Sequence, residues 1–294
     1  MQVLTHPQCL AHDPGQGHPE SPARLRAILD RLAADPRFQV RPSGPAPREA
    51  LLRVHPARYL DHLARVSDQG GGMLDQDTII SSASWMAALH AAGAAIAATD
   101  LALAGTPAFA AVRPPGHHAL RDQAMGFCLL ANVVIAARHA LASGSRRVLI
   151  VDWDVHHGNG TQALIETDPA IRFVSLHQWP GYPGTGRADE RGVGNVFNLP
   201  MAAGLPRDRY RTGLWDGVVA ATDDWVPDLV LISAGFDGLA GDPLGGFTLE
   251  PEDYAEWTRR LRDRFGAAGF ASVLEGGYDP ARLAQAVQAH LDAL

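Results

Sequence analysis

A single α/β domain, with one parallel sheet covered on both faces by helices, is the fold that the sequence predicts. Three observations lead there. Short β-like runs alternate with amphipathic helical segments, the pattern of βαβ crossovers. The runs VLIV, DLVLIS and ASVL are apolar without alternation, as strands buried on both faces are. No linker, internal repeat or low-complexity stretch divides the 294 residues, 46% of them hydrophobic, enough for a large core.

The elements follow in order. Residues 21–35 open on Ser-Pro, a helix N-cap with Pro at the first helical position, and space Leu25, Ile28, Leu29 and Leu32 at helical intervals. Residues 56–66 form a second helix, and the glycines at 70–72 a flexible loop. The Ala-rich stretch 83–104 predicts a long packed helix. Strands are expected at 108–112, 148–151, 171–176, 229–233 and 271–274, and helices at 129–143, 206–224, 251–265 and 280–291.

Composition narrows the function. A net charge of −7 argues against a nucleic-acid or anionic-membrane partner. The two cysteines, Cys9 and Cys128, offer neither a disulfide framework nor a thiolate metal site. The N-terminus lacks a signal-like pattern and no run of about 18 apolar residues stands out. A soluble, cytoplasmic protein is expected, with its oligomeric state left open.

Reactive side chains gather behind the expected strands, where open parallel sheets bind their ligands. RPPGHH, with His117 and His118, follows strand 108–112. DWDVHHGNG follows 148–151, AGFDG with Asp237 follows 229–233, and EGGY with Tyr278 follows 271–274. In an extended chain Asp152, Asp154 and His156 would share one face, but at roughly 6–7 Å spacing. A shared ion with bonds of about 2 Å therefore requires the chain to curl after Asp152. Asp154, His156 and Asp237 then offer two oxygens and one nitrogen, and three protein ligands with an open position mark a catalytic metal site. Zn²⁺ fits, and Fe²⁺ or Co²⁺ would accept the same ligands.

Adjacent histidines beside such a site predict an acid–base pair. We pair Asp152 with His117 and Asn159 with His118, each partner fixing a tautomer. Asn adds no charge, so the two imidazoles should differ in basicity, with His118 the better proton acceptor. Tyr278, behind Gly276 and Gly277, would donate to a developing oxyanion, the glycines letting it swing toward the metal.

These residues carry a resemblance. HPESPARL, RPPGHH, GFCLLANVVIAARHA, DWDVHHGNGTQ, SAGFDGLAGDPLGGF and LEGGYD resemble the zinc-dependent histone deacetylase superfamily, and most of all its class II and bacterial histone-deacetylase-like amidohydrolases. The resemblance implies an arginase/deacetylase fold with a mainly parallel eight-stranded sheet. It also implies hydrolysis of an acyl-lysine-type amide to acetate and amine, with one Zn²⁺ per chain. Asp154, His156 and Asp237 fall on the zinc ligands, His117 and His118 on the tandem catalytic histidines, and Tyr278 on the oxyanion tyrosine. Gly126, Phe127 and Tyr182 fall on the acyl-lysine tunnel, and a structural K⁺ is implied near Asp152, Asp154, His156, Leu176 and the Ser175 hydroxyl. Asp77 falls near a segment that grips the substrate backbone in relatives.

Departures shape the expectation. Tyr182 stands where Phe is usual, and Asn159 where class I enzymes carry Asp. Leu244 occupies the place of a glutamate gatekeeper in polyamine-specific members, which favours acyl-lysine or general acyl-amine substrates over acetylpolyamines. An arginase-like enzyme would need further carboxylates where Gly158 and Leu239 stand. An acetylpolyamine amidohydrolase is the competing enzyme reading, and a non-catalytic acyl-ligand binder the competing non-enzyme one.

Overall fold

The computed structural model describes all 294 residues. Its strands are β1 Gln2–Thr5, β2 Gln39–Pro42, β3 Gly71–Met73, β4 Ile79–Ser81, β5 Ala108–Ala110, β6 Val148–Asp152, β7 Ile171–Gln178, β8 Val196–Met201, β9 Leu229–Ala234 and β10 Gly269–Leu274. The helices are α1 Pro7–Ala11, α2 Pro22–Ala33, α3 Arg48–Leu52, α4 Ala57–Asp68, α5 Ser84–Leu103, α6 Asn132–Ala142, α7 Asn159–Ile165, α8 Arg207–Thr222, α9 Pro251–Arg264 and α10 Pro280–Ala293.

Eight strands form one sheet in the order β2-β1-β5-β10-β9-β6-β7-β8, and every neighbouring pair is parallel. The consequence for function is direct. β5, β10, β9 and β6 are consecutive in the sheet, and they are the four strands followed by RPPGHH, EGGY, AGFDG and DWDVHH. Parallel strands end on the same edge, so the four loops meet there. One continuous apolar core, from Val3 to Leu291, lies beneath them.

The predicted β runs all appear, within two residues at either end. The strands that periodicity did not reveal are short or lie at the sheet's edge. β2 is exposed along its whole length, β8 alternates buried with half-buried residues and carries Pro200, and β1 is four residues long. The exposed β2 and half-buried β8 offer little apolar pattern, and β1, though Val3 and Leu4 are buried, is too short to show one. The glycines expected as a loop instead contribute to a hairpin, β3 pairing with β4 so that Gly71 faces Ser81. The helix expected from residue 129 begins at Asn132, because Asn132 N–H donates to the Leu130 carbonyl in a tight turn before it.

Helix α5 corrects another expectation. Its 18-residue window has a mean hydropathy of 1.5, long and apolar enough to cross a membrane, yet 67% of that window is buried in the fold. It packs against β1, β5, β10, α1 and α6, and its small alanines allow that close approach.

His290 on α10 joins the helix layer to the sheet. Its ring nitrogens lie 2.6 Å from Thr258 Oγ1 and 2.9 Å from Ser272 Oγ, and burial lowers its pKa to about 3. The folded state holds it neutral, whereas an unfolded histidine protonates near 6.5. Unfolding therefore takes up a proton below pH 6.5, and stability falls from there toward pH 3 by up to about 1.4 kcal/mol per pH unit. Thermal melts between pH 7 and 5 should show a shallower acid loss for His290→Gln than for the parent. Equal slopes would contradict this role.

Candidate active site

The β6 strand ends at Asp152 and the chain then curls through hydrogen bonds of its own carboxylates. Asp154 N–H donates to Asp152 Oδ1 at 3.1 Å, and His156 N–H donates to Asp154 Oδ1 at 2.9 Å. These local side-chain-to-backbone bonds replace the strand ladder and bring Asp154 and His156 together. Asp237 arrives from the end of β9, its Oδ1 accepting from Val155 N–H at 2.8 Å. His156 Nδ1 then lies 3.0 Å from Asp154 Oδ1 and 3.1 Å from Asp237 Oδ2.

That arrangement fits a small divalent cation. Ligand atoms around a tetrahedral ion with bonds of about 2.0 Å stand roughly 3.3 Å apart, close to the separations seen. Both carboxylates are buried, and Gly276 backs them. A Cβ at Gly276 would lie 2.1 Å from Asp237 Oδ2 and 2.6 Å from Asp154 Oδ2, so only glycine leaves room for the pair. Burial and the adjacent Asp154 charge push Asp237 up to about 7. Burial also opposes ionisation of Asp154, but His117 and His156 outweigh it and hold that carboxyl well below its ordinary range. A divalent ion would remove the cost of placing these two carboxylates side by side.

A second grouping, His117, Cys128 and Glu275, comes equally close together. Its carboxylate is already satisfied. Glu275 Oε2 accepts from Gly116 N–H at 2.7 Å and His117 N–H at 3.1 Å, and Oε1 from Ser233 Oγ at 3.0 Å. Glu275 therefore anchors the RPPGHH loop to the strand ends.

The two histidines sit with ring centroids 3.9 Å apart. His117 Nδ1 faces Asp152 Oδ2 at 3.1 Å, and His118 Nδ1 faces Asn159 Oδ1 at 2.7 Å. The Asn159 amide nitrogen is turned to Met125 Sδ at 3.3 Å, which assigns its oxygen to His118. By that network His118 carries its proton on Nδ1 and keeps the Nε2 lone pair. Their environments push the rings apart. Burial disfavours the charged His117, but Asp154 and Asp152 prevail and raise it to about 10. Burial, His117 and His156 together drive His118 well below its ordinary value. One imidazole holds a proton and its neighbour is free to take one.

A pocket of about 250 Å³ opens onto these groups, lined by Asp77, His118, Gly126, Phe127, His156, Tyr182, Leu244 and Tyr278. Gly126 adopts φ +54, and a Cβ there would lie 2.3 Å from the His118 ring. Phe127 adopts φ +67, rare for a bulky residue. Its N–H donates to Thr78 Oγ1 at 3.0 Å, which helps hold the ring on the pocket wall. The Tyr278 ring meets Phe127 edge-on at 5.9 Å, and Tyr182 meets His118 edge-on at 5.2 Å. Of the residues singled out from the sequence, Asp77, His118, Gly126, Phe127, His156, Tyr182, Leu244 and Tyr278 line one pocket, while His117, Asp152, Asp154, Asn159 and Asp237 are joined to its His118 and His156 by the ring and side-chain contacts above.

Sequence reasoning missed the supports. Glu20 is fully buried and accepts from Arg24 Nη1 at 2.8 Å and Arg113 Nε at 2.5 Å. Arg24 stacks over the Tyr278 ring at 4.9 Å. The signals for this network were the charged residues Glu20 and Arg24 inside HPESPARL and Arg113 at the head of RPPGHH, with nothing in the sequence to link them.

Comparison with known proteins decides the family. The Histone deacetylase domain profile matches residues 18–294. The chain belongs to the histone deacetylase family. Among the histone deacetylase relatives, the histone deacetylase-like amidohydrolase of Pseudomonas aeruginosa is 42% identical over 279 residues, covering 90% of this chain and 73% of its own. An uncharacterised protein of Synechocystis sp. is 43% identical over 296 residues, covering 97% and 96%. The crystal structure of the HDA15 HD domain superposes with a TM-score of 0.95 at 36% identity, over 99% of this chain and 90% of that one. The arginase/deacetylase fold of the histone deacetylases, with its eight-stranded sheet, is therefore the fold of this chain.

Proposed function

We propose that this chain is a zinc-dependent amidohydrolase that removes acetyl or other short acyl groups from lysine-type amines. The observation that carries the reading is the cluster of Asp154, His156 and Asp237, whose His156 lines one pocket together with His118 and Tyr278. Family membership and the amidohydrolase relative support the reaction class.

When bound by Asp154, His156 and Asp237, zinc would supply Lewis acidity to the amide carbonyl and acidify a water. Phe127 and Tyr182 form apolar walls for an extended alkyl chain. His118 Nε2 takes a proton from the attacking water and passes it to the departing amine, while Asn159 keeps the ring oriented. His117, held protonated by Asp154 and Asp152, contributes positive charge beside the developing oxyanion. The Tyr278 hydroxyl donates a hydrogen bond to that oxyanion. Leu244 presents no charge to a second ammonium group.

The test is a side-by-side assay of acetyl-lysine peptide, longer acyl-lysines and acetylputrescine. Acyl-lysine should be hydrolysed fastest. A preference for acetylputrescine would move the assignment to polyamines. Tyr278→Phe should lower kcat about 10²–10³-fold, the usual effect of losing one oxyanion donor. Unchanged turnover in that variant would leave a binder of acylated ligands as the better reading.

We include a structural K⁺ in the proposal. Ser175 pairs in register with Asp152 across β6 and β7, beside the metal loop. Potassium should then raise the melting temperature above that in an equal concentration of tetramethylammonium. Identical melts would remove the ion.

A further inference from the structure

The glycines before Tyr278 suggest a mobile side chain, but the Gly277–Tyr278 peptide is gripped from both sides. Arg24 Nε donates to the Gly277 carbonyl at 2.5 Å, and Tyr278 N–H donates to Asp242 Oδ2 at 2.7 Å. Asp242, 7% exposed, uses its other oxygen, Oδ1, to accept from Leu244 N–H at 3.0 Å. The bond to Leu244 is local and would finish a turn in any loop. The bond to Tyr278 crosses 36 positions and joins the loop after β9 to the loop after β10. The two oxygens of one carboxyl group act as the acceptors, one for each N–H. One buried side chain therefore fixes the backbone of the tyrosine and the backbone of the pocket wall.

We propose that Asp242 is a positioning residue that sets the placement of the Tyr278 hydroxyl and of Leu244 as one unit, so that rate and acyl-chain selectivity depend on the same carboxylate. This rests on the deacylase reading above. Misplacing an oxyanion donor by a fraction of an ångström weakens it in the transition state while leaving the substrate's apolar contacts in place. The effect should fall on kcat, with KM close to the parent value. Loosening Leu244 changes the pocket wall, so the ratio of rates for short and longer acyl groups should change in the same variant.

Asp242→Asn keeps the volume and one oxygen, so one of the two N–H groups loses its acceptor. Three results are expected. Amide hydrogen exchange at Tyr278 accelerates, read on a peptide spanning residues 275–282, while zinc content stays near the parent and the melting temperature falls by only a few degrees, the cost of one unpaired N–H. The kcat on acetyl-lysine falls about 10- to 100-fold, the scale of a small misplacement. In a Tyr278→Phe background the same substitution has almost no further effect on kcat, because the group it positions is gone. Asp242→Ser provides the same comparisons if the Asn variant does not fold. Full, multiplicative losses in the Phe background, or unchanged exchange at Tyr278, would overturn the proposal. If the parent hydrolyses no acyl-amine at all, the deacylase reading and the rate-setting role fall together. The exchange measurement, which needs no turnover, would still report whether Asp242 holds the Tyr278 backbone.

Discussion

Replacing Asp237 by Asn is expected to abolish zinc binding at equimolar metal and to reduce acyl-lysine hydrolysis to background. The substitution is chosen to spare the fold. Asn retains an oxygen for the Val155 N–H bond seen at 2.8 Å, so the loop after β6 keeps its anchor. What it removes is a negative charge beside His156 and Asp154, where the site is buried and charge counts most. The parent protein should melt at higher temperature when zinc is added, since a ligand at 100 times its Kd contributes about 2.7 kcal/mol of stability. The variant should show no such shift. The metal-free variant should be no less stable than the metal-free parent, because two crowded carboxylates have become one. Retained turnover with a retained zinc shift would mean that the ligands are elsewhere.

The second large effect is expected at His118. His118→Ala should lower kcat about 10²–10⁴-fold, the range for losing a general acid–base group, with zinc content unchanged. A pH profile separates the base from a merely structural ring. In the parent, activity should persist well into mildly acidic solution, because burial and the neighbouring imidazoles keep His118 neutral there. Asn159→Asp adds a carboxylate behind His118, favours the imidazolium and raises its pKa. The acidic limb of kcat/KM should then move to higher pH. An acidic limb that stays in place in Asn159→Asp would assign it to another group, and His117 would be the next to examine.

The site was more legible in the sequence than the supports behind it. DWDVHHGNG announces itself because Asp and His interrupt an apolar strand, and a buried strand end has little other reason to carry them. Pairing Asp152 with His117 and Asn159 with His118 needed only the spare polar residues left once the metal ligands were assigned, and the structure places both pairs within hydrogen-bond distance. Glu275, Glu20, Arg24 and Arg113 were not legible as a group. Their bonds span up to 253 positions, and neither periodicity nor spacing reports a partner that far along the chain. Asp242 escaped for a related reason, since its local turn is visible in GDPLGG but its reach to Tyr278 is not. In the fold, strands buried on both faces were found from their apolar runs, whereas β1, β2 and β8 were not. Those strands are held largely by backbone pairing with a neighbour, which leaves little trace in the side-chain pattern.

On the proposed function, two carboxylates and one imidazole hold a single divalent cation beside the acyl pocket. Crystals grown with zinc and measured on both sides of its absorption edge test it most directly. One anomalous peak about 2 Å from carboxylate oxygens of Asp154 and Asp237 and from a ring nitrogen of His156 is the expected result. No peak there, or a peak instead among His117, Cys128 and Glu275, would contradict it.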